Sequence, residues 1–162
     1  MKRFILIVIS LVCMAYSASA QWQKANFPAD ELKGTEAYTA YIFYDSDSDF
    51  MCYWSNDVSI KIGAGRGIFD YSDHHVRVII GFYEGDTLLE KETATFYVPD
   101  GDSDTAYTSS YGGGKQLAEK IINHLNTKGD VRFIAPKYSG SDFDLVVKKR
   151  TDANTTPFNT ID

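Results

Sequence analysis

Two short acidic runs are the most visible candidates for chemistry in this chain, Asp45-Ser46-Asp47-Ser48-Asp49 and Asp100-Gly101-Asp102-Ser103-Asp104. Carboxylates alternating along a turn can converge on a hard cation such as calcium, which takes about six to eight oxygen ligands. Neither run is an EF-hand loop. The sixth positions are Phe50 and Thr105 where glycine is required, and the twelfth are Asn56 and Tyr111 where glutamate is required. Asp and Ser also open turns and keep loop tips soluble, and that plainer reading accounts for both runs without a metal. If a cation is held, calcium at Asp100, Asp102 and Asp104 is the expectation, because the second run lies in the longer loop.

Asp73-His74-His75 offers zinc-type ligands. Adjacent residues of a strand point to opposite faces, however, so the two imidazoles cannot share an ion without an irregularity. The remaining histidine, His124, falls on a helix. The expected arrangement is His74 closing a loop and His75 facing outward beside Arg77. Gly63-Ala64-Gly65-Arg66-Gly67 follows a strand but leads into another strand, so no helix N-terminus is there to cradle a phosphate. Gly112-Gly113-Gly114-Lys115 does open a helix. It lacks P-loop spacing, with Ser109 in the first glycine position and Gln116 where Ser or Thr binds magnesium.

The chain carries 11 Tyr, 10 Phe and 2 Trp. Aromatic faces bind sugars and peptides through large contact area at small entropic cost, although the same residues are good strand formers and cross-strand partners. Those expected nearest loops or sheet faces include Tyr38, Tyr44, Tyr53, Tyr71, Tyr107 and Tyr111. From these, Tyr71, Tyr107 and Tyr111 are the binding candidates, together with His74 and Arg66. Cys52 alternates with Phe50 and Trp54 and reads as a small buried hydrophobe. No G-x-S-x-G, H-E-x-x-H or S-x-x-K is present, and no catalytic residue is assigned.

The elements that must position these residues follow from hydrophobic period. Glu36 to Tyr44 reads as a strand covered on both faces. Phe50 to Ser55 and Val58 to Ile62 form a hairpin through Asn56-Asp57. His75 to Tyr83 is the clearest strand, with Val76, Val78, Ile80 and Phe82 on one face. Leu88 to Val98 follows the turn Glu84-Gly85-Asp86, its phase disturbed near Glu90 to Glu92 as by a bulge. Pro99 to Gly114 is a long loop. A helix from Lys115 to Thr127 then presents Leu117, Ala118, Ile121, Ile122 and Leu125 as one apolar stripe, with Gly129 expected as a left-handed cap. Val131 to Ala135 and Phe143 to Lys149 are the last two strands.

The expected fold is α+β and β-dominated. It is an antiparallel sheet or sandwich of about seven strands, in the order βββββ-α-ββ, with one amphipathic helix packed on it. Residues 21–34 are expected as an irregular lead-in, 35–150 as a single globular domain and 151–162 as a loose C-terminal tail.

Lys2 and Arg3, the apolar run Phe4 to Val12 and Ala18-Ser19-Ala20 have the form of a signal peptide removed after Ala20. The run is too short to span a bilayer, and no later segment is long and apolar enough. Lipoprotein processing at Cys13 is disfavoured by the β-branched Val12 before it. Cleavage would leave Cys52 without a partner for an internal disulfide, so a core must hold the domain. The net charge of −6 becomes more negative with the loss of Lys2 and Arg3, which disfavours nucleic acid and anionic lipid as partners.

In these general features the chain resembles the many small exported domains of Gram-negative bacteria, without pointing to one family among them. Asp86-Thr87-Leu88 and Asp104-Thr105-Ala106 resemble the Asp-Thr-apolar tripeptide that some such bacteria O-glycosylate, and Asn154-Thr155-Thr156 matches the eukaryotic N-glycan acceptor. The functional expectation is an exported, periplasmic or extracellular, non-catalytic binding or interaction module. Its partner would be a glycan, a peptide or another exported protein. The alternative is a small exported metal-assisted or carboxylate/His hydrolase using the loop from Gly63 to His75.

Overall fold

The computed structural model describes residues 21–29, 36–45, 48–54, 58–109 and 112–150. Signal segment, C-terminal tail, the Asn56-Asp57 turn and Tyr111 lie outside the described residues. The described chain forms nine strands and one helix. The strands are β1 (Gln21–Phe27), β2 (Tyr38–Asp45), β3 (Ser48–Trp54), β4 (Ser59–Gly63), β5 (His75–Glu84), β6 (Thr87–Tyr97), β7 (Thr105–Tyr107), β8 (Val131–Ala135) and β9 (Phe143–Val147). The helix, α1 (Gly112–Thr127), sits between β7 and β8.

All strands join one antiparallel sheet in the order β1-β2-β3-β4-β7-β6-β5-β8-β9. The seam between β7 and β6 is a single residue pair, Tyr97 opposite Tyr107. Around that seam the sheet doubles over, and its two halves share one core. Phe50 of β3 packs on Phe133 of β8 with ring centroids 5.6 Å apart. At the other margin the Trp22 indole N–H of β1 donates to the Lys148 carbonyl just past β9, at 2.9 Å. The β-dominated α+β class and the strongly bent antiparallel sheet are therefore as the hydrophobic period demands.

Two strands are additional to that reading. β1 replaces an irregular lead-in over Gln21–Phe27, and β7 interrupts the long loop after Pro99. Neither has a period-two signature, because each is fixed by its neighbours. β1 carries only Trp22 toward the core, where its ring meets Phe43 and Phe50, and Phe27 stacks on Tyr38 at 4.7 Å. β7 is three residues long and is held by β4. The irregularity in β6 is real. Phe82 faces Glu90 and Tyr83 faces Leu88, so Leu89 is the extra residue of a bulge.

The helix buries Ala118, Ile121, Ile122 and Leu125, the stripe its sequence displays. Gly129 needs a different explanation from a left-handed cap, since its φ is not positive. A Cβ there would lie 1.9 Å from the Tyr83 carbonyl oxygen, so the residue must be glycine to let the backbone after α1 touch the end of β5. Lys128 and Gly129 both donate to the His124 carbonyl, which closes the helix without a left-handed residue.

Candidate functional site

The long segment between β4 and β5 is stitched between two others. Ala64 and Phe69 donate backbone N–H groups to the Asp104 and Ser103 carbonyls at 2.8 and 2.9 Å. On the other side Asp70 donates to the Pro136 carbonyl, and Tyr138 donates to that of Ile68. Phe69 anchors the crossing, fully buried edge-on against Phe143. The glycine loop, the second acidic run and the β8–β9 connection therefore meet at one end of the sheet. Most of the residues singled out in the sequence gather there.

Asp73 and His74 form the centre of a two-residue turn closed by reciprocal Ser72–His75 backbone bonds, each 3.0 Å. Both have positive φ, 50° and 60°, a region Asp and His tolerate better than most residues. The turn separates the two imidazoles. His75 Nδ1 lies 2.5 Å from the Asp73 carbonyl oxygen, and its exposed ring meets Tyr97 edge-on. His74 Nδ1 makes no hydrogen bond and faces Asp100 Oδ1 at 3.4 Å. Tyr71 and Arg66 are exposed on the same segment.

Tyr107 occupies a different setting. A cross-strand row runs along the outer face from Met51 through Lys61, Tyr107 and Tyr97 to His75, one residue from each of β3, β4, β7, β6 and β5. Lys61 is the lysine of this row, between Met51 and Tyr107. It lies 3.5 Å from Asp49 of the first acidic run, and its charge also reaches Asp102 and Asp104 of the second. Gly63 makes room for Asp49, whose carboxylate oxygen lies 1.7 Å from where a Cβ would stand.

Asp102 and Asp104 hydrogen-bond to one another through their side chains. That bond raises the Asp104 carboxyl above its ordinary range and lowers that of Asp102. The two carboxyls therefore titrate as a pair rather than independently. The described carboxylates are turned toward Lys61, His74 and each other. Among the described residues no three His, Cys, Asp or Glu side chains are placed to hold a metal ion. Calcium at Asp100, Asp102 and Asp104 would have to compete with Lys61 and His74 for these carboxylates.

Two surface clefts lie at the opposite end, beside the β5–β6 hairpin. One of about 150 Å³ separates α1 from β6, and Leu89, Glu90, Lys120 and Asn123 are among its walls. Lys120 bridges Glu90, at 2.7 Å, and Glu92. The second, of about 210 Å³, is floored by Tyr83 and Val146 and bordered by Arg132 and Lys148. Both of these cations are already paired. Arg132 binds Asp144 through two nitrogens at 2.7 and 2.5 Å, and Lys148 meets Asp130 at 2.8 Å.

The residues that sequence reasoning passed over are Lys61, Tyr97 and the exposed pair Leu88 and Leu89. Period two places Lys61 and Tyr97 outward, but only strand register places them in one row. Of the two Asp-Thr-apolar tripeptides, Thr105 is buried and donates its hydroxyl to the Asp102 carbonyl at 3.1 Å, whereas Thr87 is exposed beside the hairpin turn. Compared with known proteins, the chain matches no family model, no curated protein and no solved structure.

Proposed function

We propose that the protein is an exported, non-catalytic interaction module that works outside the cytoplasm after loss of Met1–Ala20. The observation that carries the binding role is the surface of β6. Leu88, Leu89 and Tyr97 on this one strand are 48%, 49% and 46% exposed, while the sheet partner on its β7 side reaches only Tyr97. Leu88 and Leu89 form an exposed apolar pair beside the hairpin turn and Tyr97 stands at the other end of the strand, and exposed apolar side chains along a strand edge mark a docking surface. The charged residues at the loop end support the same reading, since they largely neutralise one another.

The test is a comparison of the native protein with a Leu88→Ser/Leu89→Ser/Tyr97→Ser variant on peptide and glycan arrays. The reading expects array signals that fall about tenfold or more in a variant whose far-UV spectrum is unchanged. Blank arrays, or signals indifferent to the three substitutions, would refute it. The intact mass of the exported form tests the leader directly.

A second reading, a small hydrolase, is favoured by one observation, the adjacent Asp102 and Asp104 carboxyls beside Lys61, the first held below and the second above the ordinary carboxylate range. Split carboxyl affinities are how one site holds an acid and a base together. Turnover in an esterase, glycosidase or peptidase screen, lost in Asp104→Asn, would establish it. A calcium titration of the same variant decides whether that loop takes the ion.

A further inference from the structure

We infer that β6 accepts an extended, acidic polypeptide strand along its open edge, a reading that rests on the β6 docking surface proposed above. The argument begins with backbone direction. The Val98 N–H donates to the His74 carbonyl at 2.8 Å, so at that position the backbone groups point toward β5. Strand backbone groups alternate sides residue by residue, and the antiparallel register runs unbroken from His75–Tyr97 to Phe82–Glu90. Phe96, Ala94 and Glu92 therefore bond to β5. Tyr97, Thr95, Thr93 and Lys91 point the other way.

Tyr97 finds β7 on that side. Lys91, Thr93 and Thr95 present their N–H and C=O groups to no other strand among the described residues. Backbone groups aligned in this way are a template for a further strand. The side chains of Lys91, Thr93 and Thr95 are exposed, and α1 reaches this strand through Lys120 on Glu90 and Glu92.

Charge selects the occupant. Lys91 and Arg77 stand on the outer face, Arg77 directly opposite Thr95, and neither has an ion-pair partner among the described residues. On the inner side Glu90 and Glu92 are already bridged by Lys120. An added strand therefore meets unpaired cations on its outward row and neutralised groups on its inward row. Its outward side chains should be acidic. Its inward ones should be small and apolar, to fit the cleft beside Leu89.

A second copy is the competing occupant. Antiparallel pairing about Thr93 would place Lys91 opposite Thr95 of the other molecule, which supplies no carboxylate to either unpaired cation, whereas an acidic strand does.

The probes are two synthetic peptides, one alternating Glu and Val and one alternating Lys and Val. Backbone amide exchange in the protein is followed by NMR. The Glu-Val peptide should slow exchange at Lys91, Thr93 and Thr95 by about tenfold or more, with the even-numbered amides of β6 already protected and unchanged. The Lys-Val peptide should not. Thr93→Pro removes one outward N–H without touching the β5 ladder and should abolish the protection. If that variant fails to fold, Lys91→Glu/Arg77→Glu, both exposed, should reverse the peptide preference.

Absence of protection at the three odd-numbered amides overturns the inference, as does protection arising from self-association without peptide. Array signals that vanish in the Leu88/Leu89/Tyr97 variant but survive Thr93→Pro would leave the docking surface standing and end strand addition alone.

Discussion

Cys52 donates its Sγ–H weakly to the Tyr41 carbonyl, 3.6 Å away, and burial pushes its thiol up to about 12. A thiol in that state has almost no thiolate at neutral pH, so we expect no reaction with thiol reagents until the protein unfolds. Labelling in native buffer at a rate unaffected by denaturant would contradict this. Glycine positions give a sharper contrast. Gly129→Ala drives a Cβ into the backbone of Tyr83 and should cost at least about 2 kcal/mol by denaturant titration. Gly63→Ala meets only the end of the Asp49 side chain, which can swing away. Its cost should be the loss of the Lys61–Asp49 pair and stay within about 1 kcal/mol. Arg132 holds the Asp144 carboxyl below the ordinary carboxylate range. Its contribution is therefore present above the unfolded pKa and disappears as pH falls through the lower folded one. Asp144→Asn should lower stability by up to about 1 kcal/mol at neutral pH, and the difference should vanish in acid. A gap that persisted or widened there would show that the ion pair is not the cause.

Among the elements, α1 is the one whose role is most exposed to a single substitution. Leu125 is fully buried beneath it, and the Leu125 carbonyl accepts the Arg150 backbone N–H from the far end of the chain at 3.0 Å. Leu125→Ala removes a side chain from the middle of the shared core and should cost about 2–5 kcal/mol. A value below 1 kcal/mol, by chemical denaturation, would mean the helix is not bound as described. The helix was legible because its stripe repeats at the helical period, and β5 because four apolar residues alternate. β1 and β7 were not legible. β1 has one large core residue, and β7 is too short for any period to show. Both are specified by hydrogen bonds to strands distant in sequence. The bulge at Leu89 was visible only as a disturbed phase, since its position depends on which residue of β5 stands opposite.

At the scale of the molecule, two half-sheets meet through one residue pair yet bury their inner faces together. The shared core, with Phe50 on Phe133 and α1 against both halves, predicts one cooperative transition. Thermal unfolding followed by tryptophan fluorescence, with Trp22 in one half, should coincide with loss of far-UV signal. Two resolved transitions would show the halves to be independent. The amino-acid sequence alone determined the β-dominated α+β class and, among the described residues, the one helix and its buried face. It also determined the inward or outward sense of most strand residues, because side-chain period is a local property of the chain. It marked the second acidic run and Asp73-His74-His75 as separate candidates, with nothing to bring them together. The tertiary structure decided that Lys61 stands among carboxylates of both runs, that Tyr107 meets Tyr97, and that β6 has no strand beside Lys91, Thr93 and Thr95 among the described residues. These depend on register and on where a sheet doubles over, and both are settled by contacts between residues far apart along the chain.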